Sequence, residues 1–249
     1  MLNSGDRLRA PYIVSTFEEF HSVVTSQEIK DLRPVYRGMS NADWELIPRI
    51  GRILEGLIPR AQVDWEDRIF RAFKRKSVPY VHGWRPSNNW DWLALAQHHG
   101  LATRLLDWTH NPLVALFFAV NPAFDADAAV YVWRAGRSLN TDKEDPFKLT
   151  KVCKFDPPAL SSRITAQKGV FTIHPNPHMP FLHRDLIEIK IPLASRDEMR
   201  RALFQYGVSS GTLFPGLDGI AQELEAVVLH KFLIDAEDLI DFPQRTEPT

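Results

Sequence analysis

The run Asn111-Pro112-Leu113-Val114-Ala115-Leu116-Phe117-Phe118-Ala119-Val120 sets the tightest limit on what this chain can fold into. Asn111 is a good helix cap and Pro112 suits the first helical position, so the run opens as a helix, which Asn121-Pro122 ends. A helix that is apolar on every side has no face to give to water and must be enclosed by other elements. Leu113 to Val120 is also the longest apolar run in the chain, far short of the roughly 20 residues that a membrane helix needs.

Strands are available to enclose it. Tyr12-Ile13-Val14, Pro34 to Gly38, Ala128 to Trp133 and Gly169 to Ile173 read as extended, and Ile187, Ile189 and Ile191 alternate with Glu188 and Lys190 as a half-buried strand should. A turn over Ser40-Asn41-Ala42-Asp43 is expected to return the sheet through Glu45 to Ile50. Capping boxes at Ser15/Glu18 and Ser195/Glu198 predict helices through about Val24 and Gln205, the second followed by Gly207. Asn88 or Asn89 caps a helix that ends before Gly100, and Asp218 opens a last helix through Val228. From Asp64 to Lys76, Trp65, Ile69, Ala72 and Phe73 mark an inward face, with Arg68, Arg71, Lys74, Arg75 and Lys76 on a basic flank. The order is irregular rather than a steady strand-helix alternation, which predicts an α+β fold over a doubly wound parallel sheet.

The 249 residues carry no repeat and no Gly/Ser linker, so the expectation is a single domain over 1–249. Hydrophobic residues at 44% and charged residues at 24% describe a globular chain, and a net charge of -1 gives no global pull toward nucleic acid or anionic lipid. Cys153 is the single cysteine, which excludes an internal disulfide and paired-thiolate zinc sites and predicts a cytoplasmic setting without membrane attachment. Dinucleotide-loop, Walker, His-Glu-x-x-His and nucleophile-elbow motifs are absent. His98 and His99 are adjacent and point about 100° apart on a helix, so they do not form a metal pair. His174 and His178 lie among prolines that forbid a helix, which predicts a rigid surface loop. No metal is expected.

Four segments carry residue types that a scaffold does not need: Tyr36-Arg37-Gly38, Gln97 to Thr109, Arg163 to Thr172, and Phe214 to Ile220. Arg37 at a strand end is placed to fork onto a phosphate or carboxylate, with Gly38 letting a ligand approach the backbone, or else to bridge Asp107. Asp107-Trp108-Thr109 leads into the helix opened by Asn111-Pro112, whose free N–H groups favour an anion or polar ligand. Arg104 either binds the ligand or locks Asp107 through a bidentate pair. Trp108 and Phe117 read as core.

These segments resemble the FRG domain of bacterial and phage proteins, named for an aromatic-Arg-Gly motif that Tyr36-Arg37-Gly38 represents here. More distantly, the order Arg37-Gly38, then Asp107-Trp108-Thr109 before a helix with Phe118-Ala119, then Gln167-Lys168-Gly169, is similar to ADP-ribosyltransferases. The resemblance implies a split central sheet flanked by helices and a cleft for NAD or a related nucleotide. It makes Arg37, His99, Asp107 and Gln167 candidate catalytic residues, and Tyr36, Gly38, His98, Thr103, Arg104, Thr109 and Arg163 candidate ligand-binding residues. It also implies a macromolecular target and a toxin or defence role. Gly169 stands at the position of the transferase glutamate and offers no carboxylate; either Asp107 or Glu223 supplies the acid, or the fold binds a nucleotide without cleaving it. The alternative is a non-catalytic module that recognises nucleic acid or protein through the basic flank from Arg68 to Lys76.

Overall fold

In the computed structural model, which describes residues 10–30, 34–81, 86–157 and 162–229, seven strands form one sheet in the order β1-β7-β4-β2-β3-β6-β5. The strands are β1 (Tyr12–Ile13), β2 (Val35–Met39), β3 (Leu105–Thr109), β4 (Ala128–Trp133), β5 (Cys153–Phe155), β6 (Gly169–Ile173) and β7 (Leu186–Ile191). The β1/β7 pair is parallel and the rest are antiparallel. Ten α-helices accompany them among the described residues: α1 (Phe17–Val24), α2 (Gln27–Lys30), α3 (Arg49–Ile53), α4 (Pro59–Ser77), α5 (Asn89–His98), α6 (Pro112–Val120), α7 (Ser162–Ala166), α8 (Arg196–Gln205), α9 (Ser210–Leu213) and α10 (Leu217–Leu229). The fold is therefore mixed, with helices laid on a largely antiparallel sheet.

The apolar helix α6 does what its composition demands. It lies against β2 and β4 with α1 and α8 close by, and Val114, Ala115, Leu116, Phe117, Ala119 and Val120 are all buried. Gly38 explains how close it lies: a Cβ there would overlap the Ala115 carbonyl and come within 2.6 Å of the Ala119 amide nitrogen. The glycine of the Tyr-Arg-Gly motif thus serves helix packing. On the opposite face, Trp108, Trp133, Phe181 and Met39 form a second core, and α4 and α5 close a third over Leu105, Phe155 and Phe171.

Several local expectations are corrected. Glu45 to Ile50 does not continue the sheet, because both edges of β2 are taken, by β3 and by β4, and the segment passes instead into α3. The first cap is Thr16 with Glu19, one residue later than expected: Thr16 is extended and its hydroxyl accepts from the Glu19 amide. Ser195 makes no side-chain cap, since Glu198 turns away to accept from the Phe17 amide at 3.2 Å. Helix α4 begins at Pro59 and buries Glu66 and Phe70, while Trp65, expected inward, is half exposed beneath Arg68. His174 is not on a surface loop; it is 2% exposed at the end of β6. Strand β5 went unread, being only three residues long. Among the described residues no helix is long and apolar enough to cross a membrane.

Candidate functional site

Strands β2 and β3 share one registered pair, Tyr36 with Thr109, where β2/β4 and β3/β6 share five each. Past that pair the two strands share no further registered pair, a local split within one continuous sheet. Arg37 crosses the gap: its Nη1 donates to the Asp107 carbonyl at 2.7 Å and stands 3.8 Å from the Asp107 carboxylate. A carbonyl that a regular ladder would satisfy with a backbone N–H is satisfied here by a guanidinium. The Arg37 Nε is buried and has no hydrogen-bond partner among the described residues. Burial lowers the Arg37 pKa from the usual arginine value, Asp107 opposes that and Arg52 adds to it; the group keeps its charge.

A cavity of about 910 Å³ opens at this split, within the range of small-molecule sites. Of the predicted site residues, Tyr36, Arg37, Gly38, His98, Asp107, Thr109, Arg163 and Gln167 line it, as does Gly169. The loop after β2 and helix α3 add Asp43, Trp44, Glu45, Arg52 and Glu55, none of which the sequence reading singled out. Apolar wall comes from Ile47, Val114, Phe118 and Ile164.

The Gln97 to Thr109 segment works as a set of ties. The Leu105 amide donates to the Thr103 hydroxyl at 3.1 Å, the hydroxyl donates to Gln97 Oε1 at 2.6 Å, and Gln97 Nε2 donates to Asp107 Oδ2 at 2.9 Å. The relay fixes which way the Gln97 amide faces, so its N–H points at Asp107. Asp107, with its side chain 59% exposed, is therefore oriented by Gln97 and faced by Arg37 while open to the cavity. The register Asp107 opposite Phe171 and Thr109 opposite Gly169 puts the carboxylate on the same face of the sheet as Gly169, one cross-strand step away.

Three predicted residues lie outside the lining. Thr103 is buried in the relay just described. His99 is exposed beyond the end of α5, its ring edge-on to His98 at 5.0 Å. Arg104 is buried and forks onto Glu66 through Nε at 2.7 Å and Nη2 at 2.6 Å, with Phe147 under the guanidinium. Its bidentate partner is thus Glu66 of α4 and not Asp107. No sequence pattern links positions 66 and 104.

The remaining lining groups differ in how far they are committed. The Gln167 amide donates to the Leu213 carbonyl at 3.0 Å, and the Gln167 carbonyl accepts from the Thr109 hydroxyl at 2.7 Å. Arg163 stacks on Phe214 at 4.6 Å. Burial, then the charges of His99 and Arg163, lowers the His98 pKa, which favours a neutral imidazole able to accept a proton. Burial pushes the Tyr36 hydroxyl up to about 12. Glu223, the other candidate acid, lies elsewhere, accepting from the Ser209 hydroxyl and from the Gly211 amide at 2.9 Å. Among the described residues no group of three or more His, Cys, Asp or Glu side chains is arranged to hold a metal ion. On the basic flank of α4, Arg71 pairs with Asp67, and Lys74 donates to Asn89 at 3.0 Å over the rings of Phe70 and Trp92.

The model of the FRG domain family matches residues 33–128, rather less than half of the chain. The matched stretch holds β2, the Gln97 to Thr109 relay and α6, which together make the split and one wall of the cavity. Residues 163–172 and 214–220 lie beyond it. No curated protein and no solved structure gives a significant match.

Proposed function

We propose that the split between β2 and β3 is a binding cleft for NAD or a related nucleotide, with Arg37 receiving a phosphate. The observation that carries this reading is the Arg37 guanidinium, held in the gap by the Asp107 carbonyl, with a buried Nε that has no partner among the described residues, beside a cavity of about 910 Å³. A planar fork with an unused N–H is suited to an anionic oxygen. Arg52 and Arg163 add positive charge to the lining, while Asp107, oriented by Gln97, offers an acceptor for ligand hydroxyls. In a transferase or glycohydrolase, the carboxylate near the reacting carbon would be Asp107, since Gly169 has no side chain. A toxin or defence effector acting on a macromolecular target is the role that fits such a cleft in an FRG-domain protein.

Calorimetric titration of NAD into the wild type and into Arg37→Ala tests this. The wild type is expected to bind and the variant to lose at least about tenfold in affinity, the scale of a charge-assisted hydrogen bond. Equal affinity in the two proteins, or no heat from the wild type, removes the reading.

A further inference from the structure

Trp44 is an outlier among the aromatic residues of the cavity. It is 43% exposed, whereas Tyr36 is 5% exposed and Trp108 is 3% exposed. The backbone that carries it is nonetheless tightly held. The Ala42 amide donates to the Asp127 carbonyl at 2.7 Å, the Asp43 amide to Asn41 Oδ1 at 2.8 Å, and the Trp44 amide to the Asn41 carbonyl at 3.3 Å. Leu46, two residues on, is buried, and its carbonyl accepts from the Phe181 amide at 3.0 Å. At the front of the loop, the Ser40 carbonyl accepts from the buried Arg196, which also ties down the Phe124, Ala126, Ala119 and Pro122 carbonyls.

Among the described residues the indole meets one ring, that of Phe124, with centroids 4.8 Å apart and planes at 83°. An edge-to-face contact of this kind fixes the orientation of an aromatic ring and cannot cover both faces of the indole. A held loop therefore places a large flat ring, 43% exposed, in the wall of the cavity that Arg37 also lines. The core gains little from a tryptophan at this position, and a side chain of this size left half exposed has more use in binding than in packing.

We infer that Trp44 is the stacking platform for a planar heteroaromatic ring of the ligand whose anionic group Arg37 receives. The inference rests on the nucleotide reading above and narrows it: the ligand carries a ring and an anion together, and the ring contributes to affinity through its π-face. Asp43 and Glu45 flank the platform and line the same cavity, which suits a ring presenting N–H donors.

The test is calorimetric titration of NAD into the wild type, Trp44→Ala, Trp44→Leu and Trp44→Phe, with thermal unfolding of each as a folding control. Stacking predicts affinity about ten- to a hundredfold weaker for the alanine and leucine variants, with most of it kept by phenylalanine. If Trp44→Ala does not fold, the leucine and phenylalanine variants decide. Unchanged affinity in Trp44→Ala overturns the inference while leaving the nucleotide reading in place. Leucine binding as tightly as phenylalanine overturns stacking in favour of a plain apolar wall. Absence of heat from the wild type removes the nucleotide reading itself, and the inference with it.

Discussion

Gly38 and Gly169 both line the cavity, and they carry opposite predictions. At Gly38 an added methyl group meets the backbone of α6 at Ala115 and Ala119, which cannot yield without moving the helix. Gly38→Ala is expected to destabilise the protein by about 1–3 kcal/mol or more, as overpacking does. At Gly169 the nearest atoms to a Cβ are the Ile164 carbonyl oxygen at 3.8 Å and its Cγ2 at 3.9 Å, ordinary contact distances. Gly169→Ala is therefore expected to change stability by less than about 0.5–1 kcal/mol. Chemical denaturation of both variants checks the pair, and equal losses would contradict the packing argument. The same comparison shows what the sequence can convey about a residue. Tyr36-Arg37-Gly38 stands out as a motif, yet the identity of the atoms that require the glycine depends on where α6 lands, and no local pattern contains that. Trp44 is invisible for a related reason: an exposed tryptophan in a polar turn has no period to betray it.

At the level of elements, the Glu66–Arg104 pair joins α4 to the residue that leads into β3, with both side chains 8% exposed. Removing one partner leaves a buried charge uncompensated, so Glu66→Met and Arg104→Met are each expected to cost about 3–5 kcal/mol. Glu66→Met combined with Arg104→Met is expected to cost less than the sum of the single losses, because neither charge is left behind. Additive losses in a double-mutant cycle would mean that the two side chains do not act as a unit. Elements with their own signals were legible in the sequence. The capped helices α5 and α6, the alternating β7 and the β-branched β4 are set by residues within a few positions of one another. Glu45 to Ile50 misled because a strand followed by a polar turn reads as a hairpin, and only the occupancy of both edges of β2 forbids it. The buried face of α4 misled because it is centred on a glutamate, and a carboxylate is counted as outward until its arginine is known.

Across the whole molecule, the second core includes a polar thread. Trp108 Nε1 donates to the Thr172 hydroxyl at 2.8 Å, which in turn lies 2.9 Å from His174 Nε2. A hydroxyl that accepts from the indole is free to donate to a neutral imidazole whose proton sits on Nδ1. Burial, with the charge of Arg37 adding to it, pushes His174 down to about 3. The unfolded chain takes up a proton at this histidine below about pH 6.5, whereas the folded protein does not until about pH 3. The unfolded state binds more protons throughout that window, so this group makes stability fall as pH drops from about 6.5 towards about 3, by up to about 1.4 kcal/mol per pH unit. Denaturation curves of the wild type and His174→Gln between about pH 5 and 7 check the sign: the wild type is expected to lose stability faster on acidification. Parallel curves would contradict it.

One registered pair joins β2 to β3 within the seven-stranded sheet, and Arg37 occupies the gap beyond it. The most direct test of the account is a crystal structure of the protein grown with NAD. The predicted result is a phosphate oxygen within hydrogen-bond distance of the Arg37 guanidinium in the cavity between β2 and β3. A nucleotide bound elsewhere, on the basic flank of α4 for instance, or an unliganded cleft at saturating NAD, would contradict it.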